Sequence, residues 1–259
     1  MNTKYEFVDT DTVVIFGHTL KRIRALSDIP SIGVRAGDLG GYIEKEGNLS
    51  QQGVCWVYDS AQVFGDAWVY DSAQVSGSAQ VSGSAQVSGS AQAYGSAVVF
   101  GDAVVYGSAQ VSGSAQVSGS ARVFGGAQVY GSAQVYGSAV VSGDAQVFGN
   151  AEVYDSAWVY GSARVSGSAQ VYGSAQVFGG AQVSGLCTKT PIHISGLQWP
   201  VTITDDLVRI GCQCHTTSQW AGFDMLDIHK MDSKASEFWN IHRTTILALA
   251  AAHQTPEEA

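Results

Sequence analysis

The sequence predicts an all-β solenoid of stacked short parallel strands, with a β cap at its N-terminal end and a small α+β unit at its C-terminal end. Three observations predict it. From Ala61 to Leu186 the chain runs as 21 consecutive hexads without an insertion. Apolar Ala and Val recur inside each hexad with the period of a strand. The composition then changes abruptly at both ends of the tract.

Each hexad is one strand and one bend. The first position is always Ala, the third is Val except at Ala93, and the fifth is Gly except at Asp71 and Asp155. Ala and Val lie two apart and share one strand face, while the second position (mostly Gln) and the fourth (Ser, Tyr or Phe) share the other. Gly supplies the backbone freedom of a corner, and Ser or Asp at the sixth position favours a turn. An inward column of Ala and Val requires a narrow interior. Stacked coils satisfy the backbone polar groups that such an interior buries. The register continues upstream in decayed form, with Gly41, Gly47 and Gly53 on the glycine phase and Ile43, Leu49 and Cys55 on the alanine phase. Counting from Gly37 to Leu186 gives 25 hexads, the irregular ones standing where terminal repeats stand in a solenoid.

Residues 1–36 break the repeat. Lys4–Val8, Thr12–Phe16 and Thr19–Arg24 read as three strands of an N-terminal cap over the first coil, protecting strand edges that would otherwise invite end-to-end assembly. The solenoid is assigned to residues 37–186 and the C-terminal unit to 187–259. In that unit Pro191–Ser195, Val201–Thr204 and Leu207–Cys212 read as strands, with a turn at Asp205-Asp206. Ser233 reads as the N-cap of a helix whose apolar face carries Ala235, Phe238, Trp239, His242, Ile246 and Leu249.

The Val-to-Ala spacing of four, as in Val63 to Ala67 and Val69 to Ala73, resembles the hexapeptide-repeat superfamily. Its Gly departs from the commonest pattern of that superfamily by one position. The resemblance implies a left-handed parallel β-helix, triangular, with three hexads (18 residues) per coil. On that rule 21 hexads make seven coils, a prism about 34 Å long at ~4.8 Å per coil. Beyond the repeat, Arg22-Ile23-Arg24-Ala25-Leu26, Gly37-Asp38-Leu39-Gly40-Gly41, Asn48-Leu49-Ser50 and Cys55-Trp56-Val57-Tyr58-Asp59 resemble hexapeptide-repeat proteins encoded by bacteriophages and prophages. Val201-Thr202-Ile203-Thr204-Asp205 and Ile210-Gly211-Cys212 extend that likeness over nearly the whole chain. It implies a phage setting and no single agreed activity.

Acyltransferases of the superfamily use a histidine on the coils, and their metal-dependent relatives use coil histidines as ligands. Here His18 precedes the repeat and His193, His215, His229, His242 and His253 follow it. Acyl transfer needs a general base and a walled pocket, so an acyltransferase-like activity is a poor reading, and no catalytic residue or cofactor is assigned. Cys212-Gln213-Cys214-His215 has a C-x-C-H spacing weaker than paired C-x-x-C knuckles. On one strand Cys212 and Cys214 point the same way and are read as core, with a metal site or a His215-centred catalytic site as the competing reading and no metal assigned. Cys55 and Cys187 read as small inward residues. The net charge of −9 disfavours nucleic acid as a partner, and a net −4 on the repeat is too sparse for DNA mimicry. The repeat lacks the Thr ladders of ice-binding solenoids and the repeated acidic loops of calcium-binding rolls. The expected location is the cytoplasm of a bacterial host, because no secretion signal, membrane span or disulfide framework is visible.

The outer surface carries the remaining information. Thirteen of the 21 fourth positions are Tyr or Phe. On three hexads per coil, one lateral face collects Trp68, Val104, Val140 and Trp158 with Tyr70, Tyr106, Phe124, Tyr160 and Phe178, while another carries a column of Gln. Long aromatic surface marks an interaction face, and cross-rung stacking is the competing account. The expected function is a non-enzymatic binding or scaffold protein that self-associates, as a trimer by superfamily likeness, and engages a partner through this face. The alternative is a phage inhibitor of a host defence that binds a defence protein or sequesters a small anionic signalling molecule. Arg122 and Arg164, the two cations of the repeat, are its candidate anion contacts.

Overall fold

Eighteen residues separate hydrogen-bonded neighbours through most of the repeat: Gln62 lies beside Gln80, Trp68 beside Gln86 and Gln74 beside Gln92. The computed structural model describes residues 3–254. Met1-Asn2 of the cap and the end of the C-terminal unit, 255–259, lie outside the described residues. Successive two-residue strands fall in rotation on three parallel faces, named here by their Gln62, Trp68 and Gln74 rungs. They make a parallel β-solenoid of about eight coils. The decayed hexads belong to it, since Leu39–Ile43 pairs in parallel with Gln62–Val63, and Trp56–Val57 with Gln74–Val75.

The interior is the Ala/Val column that the sequence predicts. From Ala61 to Val183 every first- and third-position side chain is no more than 1% exposed. Burying one such Val stabilises the fold by about 1.5 kcal/mol, and the contribution repeats at every strand. The backbone hydrogen bonds between coils run one way. Gln62 N–H donates to Ala79, Phe64 to Val81 and Ser60 to Gly77, at 2.9–3.0 Å, and the pattern recurs in each coil. N–H groups therefore point toward the C-terminal end and carbonyls toward the N-terminal end.

The corners explain the fifth position. Gly113 has φ +68°, and a Cβ there would lie 2.9 Å from the carbonyl oxygen of Gly131 one coil on. Both the left-handed backbone and the stacking distance demand Gly. Asp71 adopts φ +60° and Asp155 +58° without a glycine. Their carboxylates accept the N–H of Gly89 and Gly173 in the next coil, at 3.3 and 3.2 Å, and Asp is among the few non-glycine residues that adopt this region.

At the N-terminal end the expected first two strands are one, β1 (Tyr5–Ile15), whose pairing with β2 (His18–Ala25) shifts register between Val8 and Thr12. The intervening Asp9-Thr10-Asp11 is a bulge rather than a turn. β2 passes antiparallel to β3 (Leu39–Ile43), which joins the Gln62 face. Gly40 and Gly41 make this approach possible: a Cβ on either would lie 2.6 Å from the carbonyl of Val57 or Ala61 respectively. The cap supplies donors to outward carbonyls. Lys4 Nζ donates to Cys55 O at 2.9 Å, Tyr5 Oη to Leu49 O at 2.8 Å, and Arg22 Nε to Gly40 O at 3.0 Å.

At the other end the last coil is two residues short. Leu186–Cys187 pairs with Gln170–Val171, so Cys187 is buried as expected but occupies a valine position. The next residues supply acceptors: Asp205 Oδ2 takes the Thr188 N–H at 2.7 Å, Asp206 Oδ1 that of Leu186 at 3.0 Å, and Thr190 Oγ1 that of Gln176 at 3.2 Å. The C-terminal unit is an antiparallel sheet of four strands, Ile192–Ile194, Val201–Ile203, Val208–Ile210 and Gln213–His215. Helices α1 (Thr217–Gly222), α2 (Met225–Met231) and α3 (Ala235–Gln254) follow. The fourth strand holds Cys214 but begins after Cys212, and α1 and α2 are elements that the weak periodicity of 217–231 does not predict. Thr216 caps α1 and Asp224 caps α2. Before α3 it is Asp232, not Ser233, that accepts a backbone bond, from Lys234 N–H at 2.8 Å. Phe238, Trp239 and Ile246 on the predicted face are buried.

Two outcomes follow. Gly113→Ala lowers stability by about 1–3 kcal/mol, read as a fall in denaturation midpoint. Gly47→Ala, where a Cβ meets nothing within 4 Å, leaves the midpoint unchanged. The second concerns His253, whose Nε2 lies 3.8 Å from Asp205 Oδ1. Burial lowers its pKa from 6.5, opposed by the Asp205 charge. The unfolded chain therefore binds more protons as pH falls through 6.5, and stability present above that pH is lost below it. The thermal transition of the C-terminal unit falls between pH 7.5 and 5.5, and by less in His253→Gln.

Candidate functional site

From Ala61 to Val183 the inward positions hold only Ala and Val, so the chemistry of these coils is confined to their outer faces. Along the Trp68 face the second positions read Trp68, Gln86, Val104, Arg122, Val140, Trp158 and Gln176 in neighbouring rungs. The fourth-position Tyr70, Tyr106, Phe124, Tyr160 and Phe178 adjoin that column on the same strands' outward side. The nine residues expected to form this aromatic face thus share one sheet. Trp68, Trp158 and Phe178 are 42%, 50% and 41% exposed, while the other aromatic rings of the face are half-buried.

Ring geometry explains the difference. Tyr106 and Phe124 stack with centroids 4.7 Å apart and planes 11° from parallel, and Tyr160 and Phe178 at 5.4 Å and 16°. Trp68 and Tyr70 stack within one coil at 4.0 Å. The coil-to-coil separations are close to the spacing of adjacent strands, so each ring covers its neighbour and leaves its edge to solvent. Ser88 and Ser142 interrupt the column, giving stacked pairs rather than a continuous ladder. The longest ladder stands on the Gln62 face, where Tyr136, Tyr154 and Tyr172 stack at 4.9 Å with planes 1° and 7° apart. Burial raises the pKa of Tyr136 and Tyr154, helped at Tyr136 by the Glu152 charge and at Tyr154 by Tyr172. The 18-residue spacing of Tyr136, Tyr154 and Tyr172 in the sequence is the signal that marks this ladder. Phe64 departs from the outward rule: it is buried under His18, with ring centroids 5.2 Å apart.

The structure separates the two coil arginines. Arg122 lies on the Trp68 face, its guanidinium 5.6 Å from the Phe124 ring and its Nη2 donating to Tyr106 Oη at 3.1 Å. Arg164 lies on the Gln74 face, 5.4 Å from the Phe148 ring and between Gln146 and Gln182. Each is laid over an aromatic ring, and the two do not converge on a common anion site.

The Cys212–His215 segment is also taken apart by its position. Cys212 is exposed in the turn before the fourth strand, not in the core. Cys214 is half-buried with Sγ 3.3 Å from Ser184 Oγ, to which Arg209 Nη2 donates at 3.0 Å. The His215 ring packs edge-on against Trp220 and Phe223 at 5.2 and 5.0 Å. Among the described residues no three His, Cys, Asp or Glu side chains gather as metal ligands. No helix among them is long and apolar enough to cross a membrane.

Comparison with known families gives the same architecture. Residues 61–77, 115–131 and 145–161 match the model of the YdcK Beta solenoid repeat. All three segments lie within the stacked coils, and each begins on an inward Ala. A search of curated proteins found no match. With three sheets of 18-residue coils and a recurrent solenoid signature, the chain is a β-solenoid repeat protein.

Proposed function

We propose that this protein is a non-enzymatic binding and scaffold protein that self-associates and engages its partner through the Trp68 face. One observation carries the reading: two half-exposed indoles and the exposed Phe178 stand on a rigid sheet whose intervening second positions include Val104 and Val140. Exposed large apolar side chains held on a scaffold that cannot bury them are the mark of an interaction surface. Trp and Arg are the residues that most often dominate binding energy, and Arg122 sits between the two indoles along this face. Stacking accounts for the half-buried Tyr and Phe rings of the column. It does not account for Trp158, which is 50% exposed.

The superfamily likeness makes a trimer around a threefold axis the expected assembly. The likeness to phage-encoded repeat proteins makes a bacterial host protein, in the host cytoplasm, the expected partner. Interference with a host defence is consistent with that setting. Capture of a small anion by the coils has less support, because Arg122 and Arg164 lie on different faces.

Native mass spectrometry at micromolar concentration tests the reading. The wild-type protein is expected as a trimer and Trp68→Ser/Trp158→Ser as a monomer with an unchanged far-ultraviolet spectrum. Each Trp contributes roughly 2 kcal/mol or more at an interface centre, enough to dissociate a micromolar assembly. A wild-type monomer, or a double variant as trimeric as the wild type, overturns it.

A further inference from the structure

The N-terminal cap buries an amine against a thiol. Lys4 is 5% exposed, and Cys55 on the first coil is fully buried. Lys4 Nζ donates to the carbonyls of Cys55 and Gln52 at 2.9 and 3.4 Å and lies 3.1 Å from Cys55 Sγ. No carboxylate is among these partners, and an ammonium buried without one is costly. Burial lowers the pKa of Lys4 and raises that of Cys55, each shift opposed by the charge of the other group. Both directions favour a neutral amine beside a neutral thiol. Such an amine has two N–H groups for the two carbonyls and one lone pair left to face the sulfur. The cover over the pair is thin. Sγ contacts Ser50 O and Gln52 O at 3.6 and 3.7 Å, within a bend where Gln52 and Gly53 are exposed. Lys4, Gln51, Gly53 and Val54 also line a surface hollow.

We propose that Lys4 and Cys55 form a covalent latch driven by hydrogen peroxide, a sulfenamide bond between Nζ and Sγ that fastens the N-terminal cap to the first coil. Lys4 Nζ takes the thiol proton as Sγ attacks one peroxide oxygen. The S–O bond forms, the O–O bond breaks, and the departing hydroxide takes the proton from Nζ and leaves as water. The neutral amine then attacks Sγ of the sulfenic acid. The N–S bond forms, the S–O bond breaks, and hydroxide leaves with an Nζ proton as a second water. One thiol, one amine and one peroxide thus give one sulfenamide and two waters. Sulfur loses two electrons and peroxide gains them. Sulfenic acids condense with a nitrogen nucleophile in this way, and the amine is the nucleophile that the fold sets against Sγ. A thiol reductant attacking Sγ restores both groups. The link closes the chain between residues 4 and 55, which constrains the unfolded state. The site is separate from the Trp68 face, and its chemistry does not depend on how the solenoid assembles.

The test uses the full-length protein carrying Cys212→Ser and Cys214→Ser, so that no disulfide between those two residues gives the same mass. Treated with hydrogen peroxide while folded, it is expected to become about 2 Da lighter, the loss of two hydrogens. Peptide mapping then joins the peptide of Lys4 to that of Cys55, and dithiothreitol restores the original mass. The joined protein is expected to melt about 5 °C or more above the untreated one. Lys4→Arg keeps donors for the two carbonyls but lacks the attacking amine. It is expected to yield sulfenic and sulfinic acid at Cys55 and no lighter species. Dimedone added with the peroxide intercepts the sulfenic acid and is expected to lower the yield of the link, a readout that needs no substitution at the site. The proposal is overturned if peroxide leaves Lys4 and Cys55 unjoined in the folded protein, or if Lys4→Arg gives the same lighter species. It is also overturned if the joined protein melts no higher than the untreated one.

Discussion

A single direction of hydrogen bonding governs this molecule. Every coil donates its N–H groups to the carbonyls of the coil that follows, so the stack has a donor end and an acceptor end however many coils it contains. Neither end can be left bare, because unpaired strand groups recruit other strands. The two terminal units answer this polarity with opposite chemistry. Lys4, Tyr5 and Arg22 bring donors to the carbonyl end. Asp205, Asp206 and Thr190 bring acceptors to the N–H end. The caps are therefore not interchangeable, and their unlike compositions follow from the arrow of the stack.

The same stacking settles where chemistry can reside. A coil of three two-residue strands leaves room inside for Ala and Val alone, which bury completely and offer nothing to a substrate. The corners are closed as well, since neighbouring glycines pack backbone to backbone. Only the outward second and fourth positions remain variable at little cost. There the coil spacing places side chains of successive coils one above another, and aromatic rings that meet in this way stack because that spacing is also their contact distance. A surface of this kind is flat and repetitive, suited to extended contact and poorly suited to enclosing a small molecule. Among the described residues a partly open cavity of about 80 Å³ lies in the C-terminal unit, where helices and a sheet diverge.

Legibility followed periodicity. The hexads revealed the strand, the inward column, the corner and the shared face of Trp68, Arg122 and Trp158, because each depends on spacing alone. Where the period lapses, local signals competed. Asp9-Thr10-Asp11 looks like a turn, yet the chain continues through it as a bulge because β2 remains long enough to pair on both sides. Cys187 kept its inward orientation but moved to another position when the last coil lost two residues, which counting by six could not show. The boxes at Thr216–Gln219 and Asp224–Asp227 were readable helix starts that short, weakly periodic segments obscured. Cys212 and Cys214 shared a phase, but a turn at Gly211 separated their environments. The cavity lined by Trp199, Trp220 and Trp239 was not legible at all, since it depends on how α3 seats against the sheet.

The acceptor cap has a consequence for how the chain is made. Synthesis delivers the donor-bearing cap first, then each coil in turn, and domains begin folding as they emerge. A coil just formed exposes N–H groups that only the next coil can satisfy, so the nascent solenoid carries one reactive edge that travels along with translation. Asp205 and Asp206 arrive after the last coil and quench it. A ribosome that stalls within the repeat would release an unterminated stack, ordered along its length yet adhesive at its tip.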